Sequence, residues 1–301
     1  MANALELISI AIISLILYSL LPPLLDGIER KIRADIQSRV GPPTVLQTWY
    51  DILKLMSKEV VAALNVKVAT IILSMTITLL LFIGVYISAH LAFQNINIFF
   101  IATTIVLAIS THILNTLVYT ISSNPFSFIG TFRALTINIG NEVGFITFYT
   151  LSALTMLTSL GGITLFIISF IPLLISVFVA GKRLPYDLHE AEPELASGSI
   201  IEFSGPILGL YLYSHTLDRY VFASIPISLA LAIFKNYLTN PFIYLLLLHI
   251  FTILLFLLFA IVSIMLGRSR IDIAFKTVFF IYLLAILMWV GVYVFTNFIS
   301  I

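Results

Sequence analysis

The sequence predicts an all-α polytopic membrane protein, with eight transmembrane helices and an amphipathic cytoplasmic helix between helices 1 and 2. Three observations predict it. The 301 residues are 60% hydrophobic and only 10% charged, with a mean hydropathy of +1.13. The apolar residues form continuous runs long enough to span, because ~20 residues at ~1.5 Å rise cross the hydrocarbon. The basic residues fall between those runs in a one-sided pattern. Only helices and closed barrels satisfy every backbone group in lipid, and continuous rather than alternating runs argue against a barrel. Residues 1–301 read as a single transmembrane domain without repeats, linkers or low-complexity tails.

The first span is expected at Ala4–Leu25, closed by Pro22-Pro23. Glu29-Arg30-Lys31 to Arg39 is strongly charged, and Gly41-Pro42-Pro43 is a rigid break. From 45 to 59 the apolar residues Val45, Leu46, Trp49, Ile52, Leu53 and Met56 follow helical spacing, with Asp51, Lys54, Lys58 and Glu59 largely off that face. This is an interfacial amphipathic helix, a helix packed on a partner, or both. Further spans are expected at Val68–His90, Ile98–Ile121, Thr131–Thr155, Gly162–Ala180, Pro241–Leu266 and Thr277–Ile299. Residues 205–236 are either one long helix or two short ones broken near Asp218-Arg219.

Lysine and arginine select one helix there. With eight spans and the N-terminus outside, loops 1–2, 3–4, 5–6 and 7–8 face the cytoplasm. Those loops and the adjoining span ends hold 13 of the 15 basic residues, from Arg30 to Lys276. Nine spans would move Arg268, Arg270 and Lys276 outside, against the positive-inside rule. The chain is therefore expected in the cell membrane, multi-pass.

The stretch from Arg183 to Leu195, with Glu202 beyond it, holds five of the 14 carboxylates: Asp187, Glu190, Glu192, Glu194 and Glu202. Carboxylates so close repel when ionised, which raises some pKa values toward neutrality and suits proton exchange. A solvated acidic loop is the plainer alternative. Glu142 lies inside the fourth predicted span, where a carboxylate costs roughly 2.5–3.5 kcal/mol and is kept for function or paired. Arg133 is too far along the helix to pair with it easily. Gly140 and Gly144 flank Glu142 and allow another helix to approach closely. Asp218-Arg219 reads as a neutralising pair or a surface break, and His112, His215 and His249 as packing histidines.

The exclusions are sharp. There is no cysteine, so no disulfide and no thiolate-bound iron–sulfur cluster or metal belongs to this chain. None of the five histidines has another at i+4, which disfavours haem and zinc. A net charge of +1 gives no sign of a nucleic-acid partner. Residues 1–5 lack the basic segment of a cleavable signal.

The segment Pro185-Tyr-Asp-Leu-His-Glu-Ala-Glu-Pro-Glu-Leu195, followed by Glu202-Phe-Ser-Gly205, resembles the third cytoplasmic loop of the H subunit of respiratory complex I. Glu29-Arg30-Lys31, Gln37, Arg39, Gly41-Pro42, Leu46-Gln47, Asp51 and Lys54 match the family's first loop, and Gly130, Arg133-Ala134 and Glu142 a later region. The resemblance runs in order over residues ~1–240. Gly41-Pro42-Pro43 lacks the insertion usual in complex I proper. The short form looks like the membrane-anchor homologue in energy-converting membrane-bound hydrogenases and related ferredoxin-linked complexes, which use no quinone.

That resemblance implies a membrane-anchor and coupling subunit of an ion-translocating redox complex. It implies hydrogenase-like large and small iron–sulfur subunits on the cytoplasmic face and antiporter-like subunits alongside in the bilayer. Iron–sulfur clusters, and in the hydrogenase form a NiFe centre, would belong to those partners. Asp187, Glu190, Glu192, Glu194, Glu202 and Glu142 would form the ion pathway. Arg30, Arg39, Gly41, Pro42, Asp51, Lys54 and Arg133 would form the redox-module interface. The rivals are a quinone-reducing complex I subunit and a stand-alone cation-coupled transporter, against which the absence of repeats counts.

Overall fold

Long apolar runs bounded by Gly, Pro and Asn become long helices in the computed structural model, which describes residues 4–61, 64–93, 96–121, 124–158, 162–188, 198–236 and 240–299. The helices are α1 Ala4–Ile36, α2 Gln47–Met56, α3 Leu64–Ala92, α4 Ile98–Thr120, α5 Pro125–Thr158, α6 Gly162–Ala180, α7 Pro206–Ala232, α8 Pro241–Met265 and α9 Ile271–Ile299. Among the described residues no strand occurs. Six helices, α1, α3, α4, α6, α8 and α9, are long and apolar enough to cross a membrane. The chain is thus a polytopic helical membrane protein. The other two long helices, α5 and α7, carry Arg133, Asn141 and Glu142, and Asp218 and Arg219, respectively.

Residues 206–232 form one unbroken helix through Asp218-Arg219. The physical reason is its place: α7 packs against α1, α2, α3, α6 and α8, and most of its side chains are buried in protein. Its polar groups meet other helices rather than hydrocarbon.

The proline pair does not end α1, contrary to the sequence expectation: the helix runs on to Ile36. Pro23 has no N–H for the carbonyl of Ser19. The hydroxyl of Tyr213 donates to that oxygen instead, at 3.1 Å, and the indole of Trp49 donates to the carbonyl of Leu20, at 3.3 Å. A neighbouring helix thus satisfies the carbonyl that Pro23 frees, which helps make an internal proline tolerable in a membrane helix. Glu29, Arg30 and Arg33 are therefore helical and fixed in direction, not members of a loop.

Helix α2 turns Thr48 and Ile52 inward, while Leu46, Leu53 and Met56 of its apolar set stay exposed. Thr48 donates to Asp26 of α1 at 2.9 Å, so a polar contact decides which side faces the bundle. Backbone closeness fixes the fit. A Cβ on Gly27 would overlap the carbonyl of Val45. Gly209 of α7 lies against Leu55 and Ile52, and Gly205 against Glu59.

The Gly140/Gly144 pair does bring in another helix, and it is α9. A Cβ on Gly140 would meet Phe275 at 2.9 Å, and one on Gly144 would overlap the ring of Tyr282. The Tyr282 hydroxyl donates to Asn141 Oδ1 at 2.6 Å. Gly144→Leu should therefore push α9 off α5 and cost about 1–3 kcal/mol or more, as overpacking does. Reversible SDS unfolding checks it; an unchanged midpoint would contradict the packing.

Candidate functional site

Glu29, more than one turn past the prolines, is buried. Its carboxylate lies 2.9 Å from Arg33 and 3.0 Å from Arg183. Arg183 follows the turn that ends α6 and is itself buried, with Phe256 of α8 4.4 Å from its guanidinium. Burial pushes the Arg183 guanidinium down to about 10, and the neighbouring Glu29 charge opposes that shift. It remains protonated at neutral pH.

The preceding residue goes the other way. Lys182 adopts a left-handed backbone, φ 49°, a conformation costing a non-glycine residue about 1–3 kcal/mol. Its ammonium lies 3.0 Å from the Tyr119 hydroxyl of α4 and 3.9 Å from Asp218 of α7. Asn115 of α4 donates to the same carboxylate at 3.5 Å. The strained turn thus sends Arg183 toward α1 and Lys182 toward α4 and α7.

Two flanks extend this centre. On one, Arg219 of α7 reaches Asp26 of α1 at 3.8 Å and donates to the Gly181 carbonyl at 3.0 Å. Thr48 links Asp26 to Arg30, which pairs with Asp51 of α2 at 2.7 Å. On the other, His112 of α4 stacks on Phe222 and lies 3.5 Å from Glu142 of α5. Phe222 is one turn along α7 from Asp218, which places His112 on the face of α7 that carries that carboxylate. Acid–base pairs therefore follow one another from Asp51 at the surface to Glu142, joined through Thr48, the Gly181–Arg183 turn and Phe222, across five helices. Paired charges of this kind are costly to bury and rearrange together, since a charge change at one alters its neighbours.

The residues singled out in the sequence divide. Arg30, Asp51 and Glu142 lie in the array. Asp187 pairs with Arg268 at 3.3 Å, beside it. Glu202 ends a short 3-10 turn and is half-buried. Arg39 and Lys54 are exposed, while Gly41, Pro42 and Arg133 are half-buried. Gly41 sits where a Cβ would be 2.9 Å from that of Ala34, which explains a glycine at the break. Glu190, Glu192 and Glu194 lie outside the described residues.

Sequence reasoning missed Asp26, Lys182, Asp218 and Arg219 as members of one array. Adjacent helical residues do not face each other, so Asp218 and Arg219 could not neutralise one another; that rule was available in the sequence. His112, read as packing, both packs and meets Glu142. Among the described residues no group of three His, Cys, Asp or Glu side chains is arranged to hold a metal ion.

Comparison with known proteins agrees with this architecture. A family model described as NADH dehydrogenase matches residues 8–294. NADH-ubiquinone oxidoreductase chain 1 of Varanus jobiensis is 30% identical over 207 residues, 61% of this chain and 62% of that protein. The match thus spans less than two thirds of that relative's length. The H subunit of the NADH-quinone oxidoreductase of Bacteroides fragilis is 28% identical over 259 residues, 75% of this chain and 69% of that one. Among solved structures, a chain of the membrane-bound sulfane sulfur reductase, an archaeal respiratory membrane complex, shares the fold. Its TM-score is 0.69 at 18% identity, over 94% of this chain and 99% of that chain. The chain belongs to the NADH dehydrogenase subunit 1/H family.

Proposed function

We propose that this chain is the membrane-anchor and coupling subunit of a complex I-like, ion-translocating redox complex of the ferredoxin-linked, membrane-bound hydrogenase or sulfur-reductase type. In this reading all eight long helices span the membrane, the N-terminus lies outside, and the charged array lies at the cytoplasmic end. Iron–sulfur subunits dock there, on the surface that carries Arg39, Gly41, Pro42, Lys54 and Arg133. Antiporter-like subunits lie alongside in the bilayer.

The single observation that carries the reading is the series of acid–base pairs from Asp51 at the surface to Glu142 inside the bundle. A redox event at the surface changes the local charge. Asp26 responds first, because Thr48 links it to Arg30 of the surface pair, and Glu29 follows one turn along α1. Lys182 and Asp218 pass the change to His112 and Glu142. Asp187, Glu190, Glu192, Glu194 and Glu202 supply the ion entrance beside Arg183. The moving ion is a proton or sodium. Clusters, and in the hydrogenase form a NiFe centre, sit in the partners.

The form without quinone is supported by the short Gly41-Pro42-Pro43 turn and by the close seating of residues 45–59 against Gly27, Gly205 and Gly209. The fold shared with the sulfane sulfur reductase chain is consistent with it. The names of the sequence relatives favour the second reading, a quinone-reducing subunit. Affinity purification from native membranes separates the readings. Co-purifying iron–sulfur subunits, with activity insensitive to a competitive quinone-site inhibitor, are expected. Inhibition by that compound would establish the second reading, and a chain stable and active alone would overturn both.

A further inference from the structure

A second polar cluster lies off the charged array, in the apolar middle of the bundle. Tyr18 of α1 sits eight residues before Asp26, ~12 Å away along the helix. Its ring meets Tyr220 of α7 edge-on at 5.4 Å and His249 of α8 at 5.0 Å. The Tyr220 hydroxyl and His249 Nδ1 are 2.7 Å apart. All three side chains are at least nine-tenths buried.

In this cluster His249 Nε2 has no protein hydrogen-bond partner, and the Tyr18 hydroxyl meets only the Ser224 side chain. Leaving such a group unpaired costs about 1–3 kcal/mol, so a helix bundle that merely needed volume would use Phe at both places. The Tyr18 hydroxyl also lies close to Ser224 of α7. The Ser224 hydrogen goes to the carbonyl of Val221, which leaves its oxygen free to accept. The Tyr18 hydroxyl can donate to that oxygen, which leaves the Tyr18 oxygen and His249 Nε2 converging as two groups that can accept from water. Internal water requires 2–4 such partners.

The cluster is also placed on a route. Phe256 of α8 packs against Tyr220 and also lies 4.4 Å from the Arg183 guanidinium, so the cluster borders the charged array. Beyond the cluster, Ser14 lies one turn farther along α1 and Ser228 one turn farther along α7, both fully buried. Their hydrogens are given to their own helices, at Ala11 and Ile225, so their oxygens can accept from water.

We propose that Tyr18, His249 and Tyr220 hold internal water and form a proton station between the charged array and the opposite end of the bundle. A hydronium ion arriving there gives its proton to His249 Nε2 and leaves as neutral water. The resulting imidazolium donates from Nδ1–H to the Tyr220 oxygen. The groups facing the imidazole are Tyr18 and Tyr220; the charges of Arg183, Arg219 and Asp26 belong to the array beyond them. The proton role rests on the ion-coupling reading above, but the hydration does not.

X-ray hydroxyl-radical labelling of the purified complex in nanodiscs tests the site, because radicals form from water held inside. Tyr149 is the control: it is equally buried, but its hydroxyl accepts a hydrogen bond from Thr104. Tyr18 and Tyr220 should label at least ten-fold faster than Tyr149, and His249→Phe should bring Tyr18 down to the control rate. Equal slow labelling of all three tyrosines in the unaltered protein would overturn the hydration site. His249→Gln, which keeps hydrogen-bonding groups, should restore labelling if the phenylalanine variant assembles poorly.

In the same preparations, ions moved per electron should fall at least five-fold in both variants, since glutamine cannot take the proton. Unchanged coupling there, with coupling lost in Glu142→Gln, would overturn the proton role alone. Unchanged coupling in Glu142→Gln as well would instead mark failure of the ion-coupling reading, leaving the labelling result to stand by itself.

Discussion

Arg183→Met should destabilise the protein by about 3–5 kcal/mol, the usual effect of removing one partner from a buried ion pair. Arg183 and Glu29 are both almost completely buried. Without the guanidinium, Glu29 keeps only Arg33, which is 35% exposed and well screened. The packing on Phe256 is largely preserved by methionine, so the loss reports charge rather than volume. Adding Glu29→Leu to the same chain should recover most of it, because replacing both partners removes the stranded charge. Reversible unfolding in SDS or a steric trap measures this; thiol-reactive dyes have no cysteine to report on. A single variant within 1 kcal/mol of the parent would show that the pair is solvated after all.

Glu142→Gln should leave the fold intact and reduce ion translocation by about 100-fold, the lower end of what a positioned proton-transfer group contributes. Glutamine keeps the shape beside His112 but cannot take or give a proton. Redox turnover should fall far less than pumping, so that ions moved per electron drop, and Glu142→Asp should restore part of the pumping. Proteoliposomes carrying the assembled complex, with ion uptake read against electron flow, give the answer. Wild-type levels of both activities would remove Glu142 from the route.

These two expectations draw on different levels of information. Glu142 was legible in the sequence because a carboxylate amid apolar residues has a cost that demands an explanation. Its partner was not, because His112 is thirty residues earlier and on another helix. Arg183 was visible only as the start of an acidic stretch. That it reaches back to Glu29 follows from α1 continuing through two prolines, which local propensity argues against. The tertiary structure overrode propensity there by supplying Tyr213 as donor to the Ser19 carbonyl that Pro23 frees. The Gly140/Gly144 spacing, by contrast, forecast a close helix contact, and only the identity of the helix was missing.

The sequence by itself determined the helical membrane class, the absence of thiolate redox chemistry and the position of most helices. Those follow from composition, run length and backbone hydrogen bonding, which act locally. The motifs also placed the chain beside its family. Only the tertiary structure decided that α7 lies at the centre, that Asp218 and Arg219 serve different partners, and that Lys182 and Arg183 diverge from one strained turn. Ion pairs form across helices whose mutual rotation is set by packing, and no spacing along the chain encodes that rotation. The same holds for Tyr18, Tyr220 and His249, each ordinary alone, whose unpaired atoms meet only when three helices close around them.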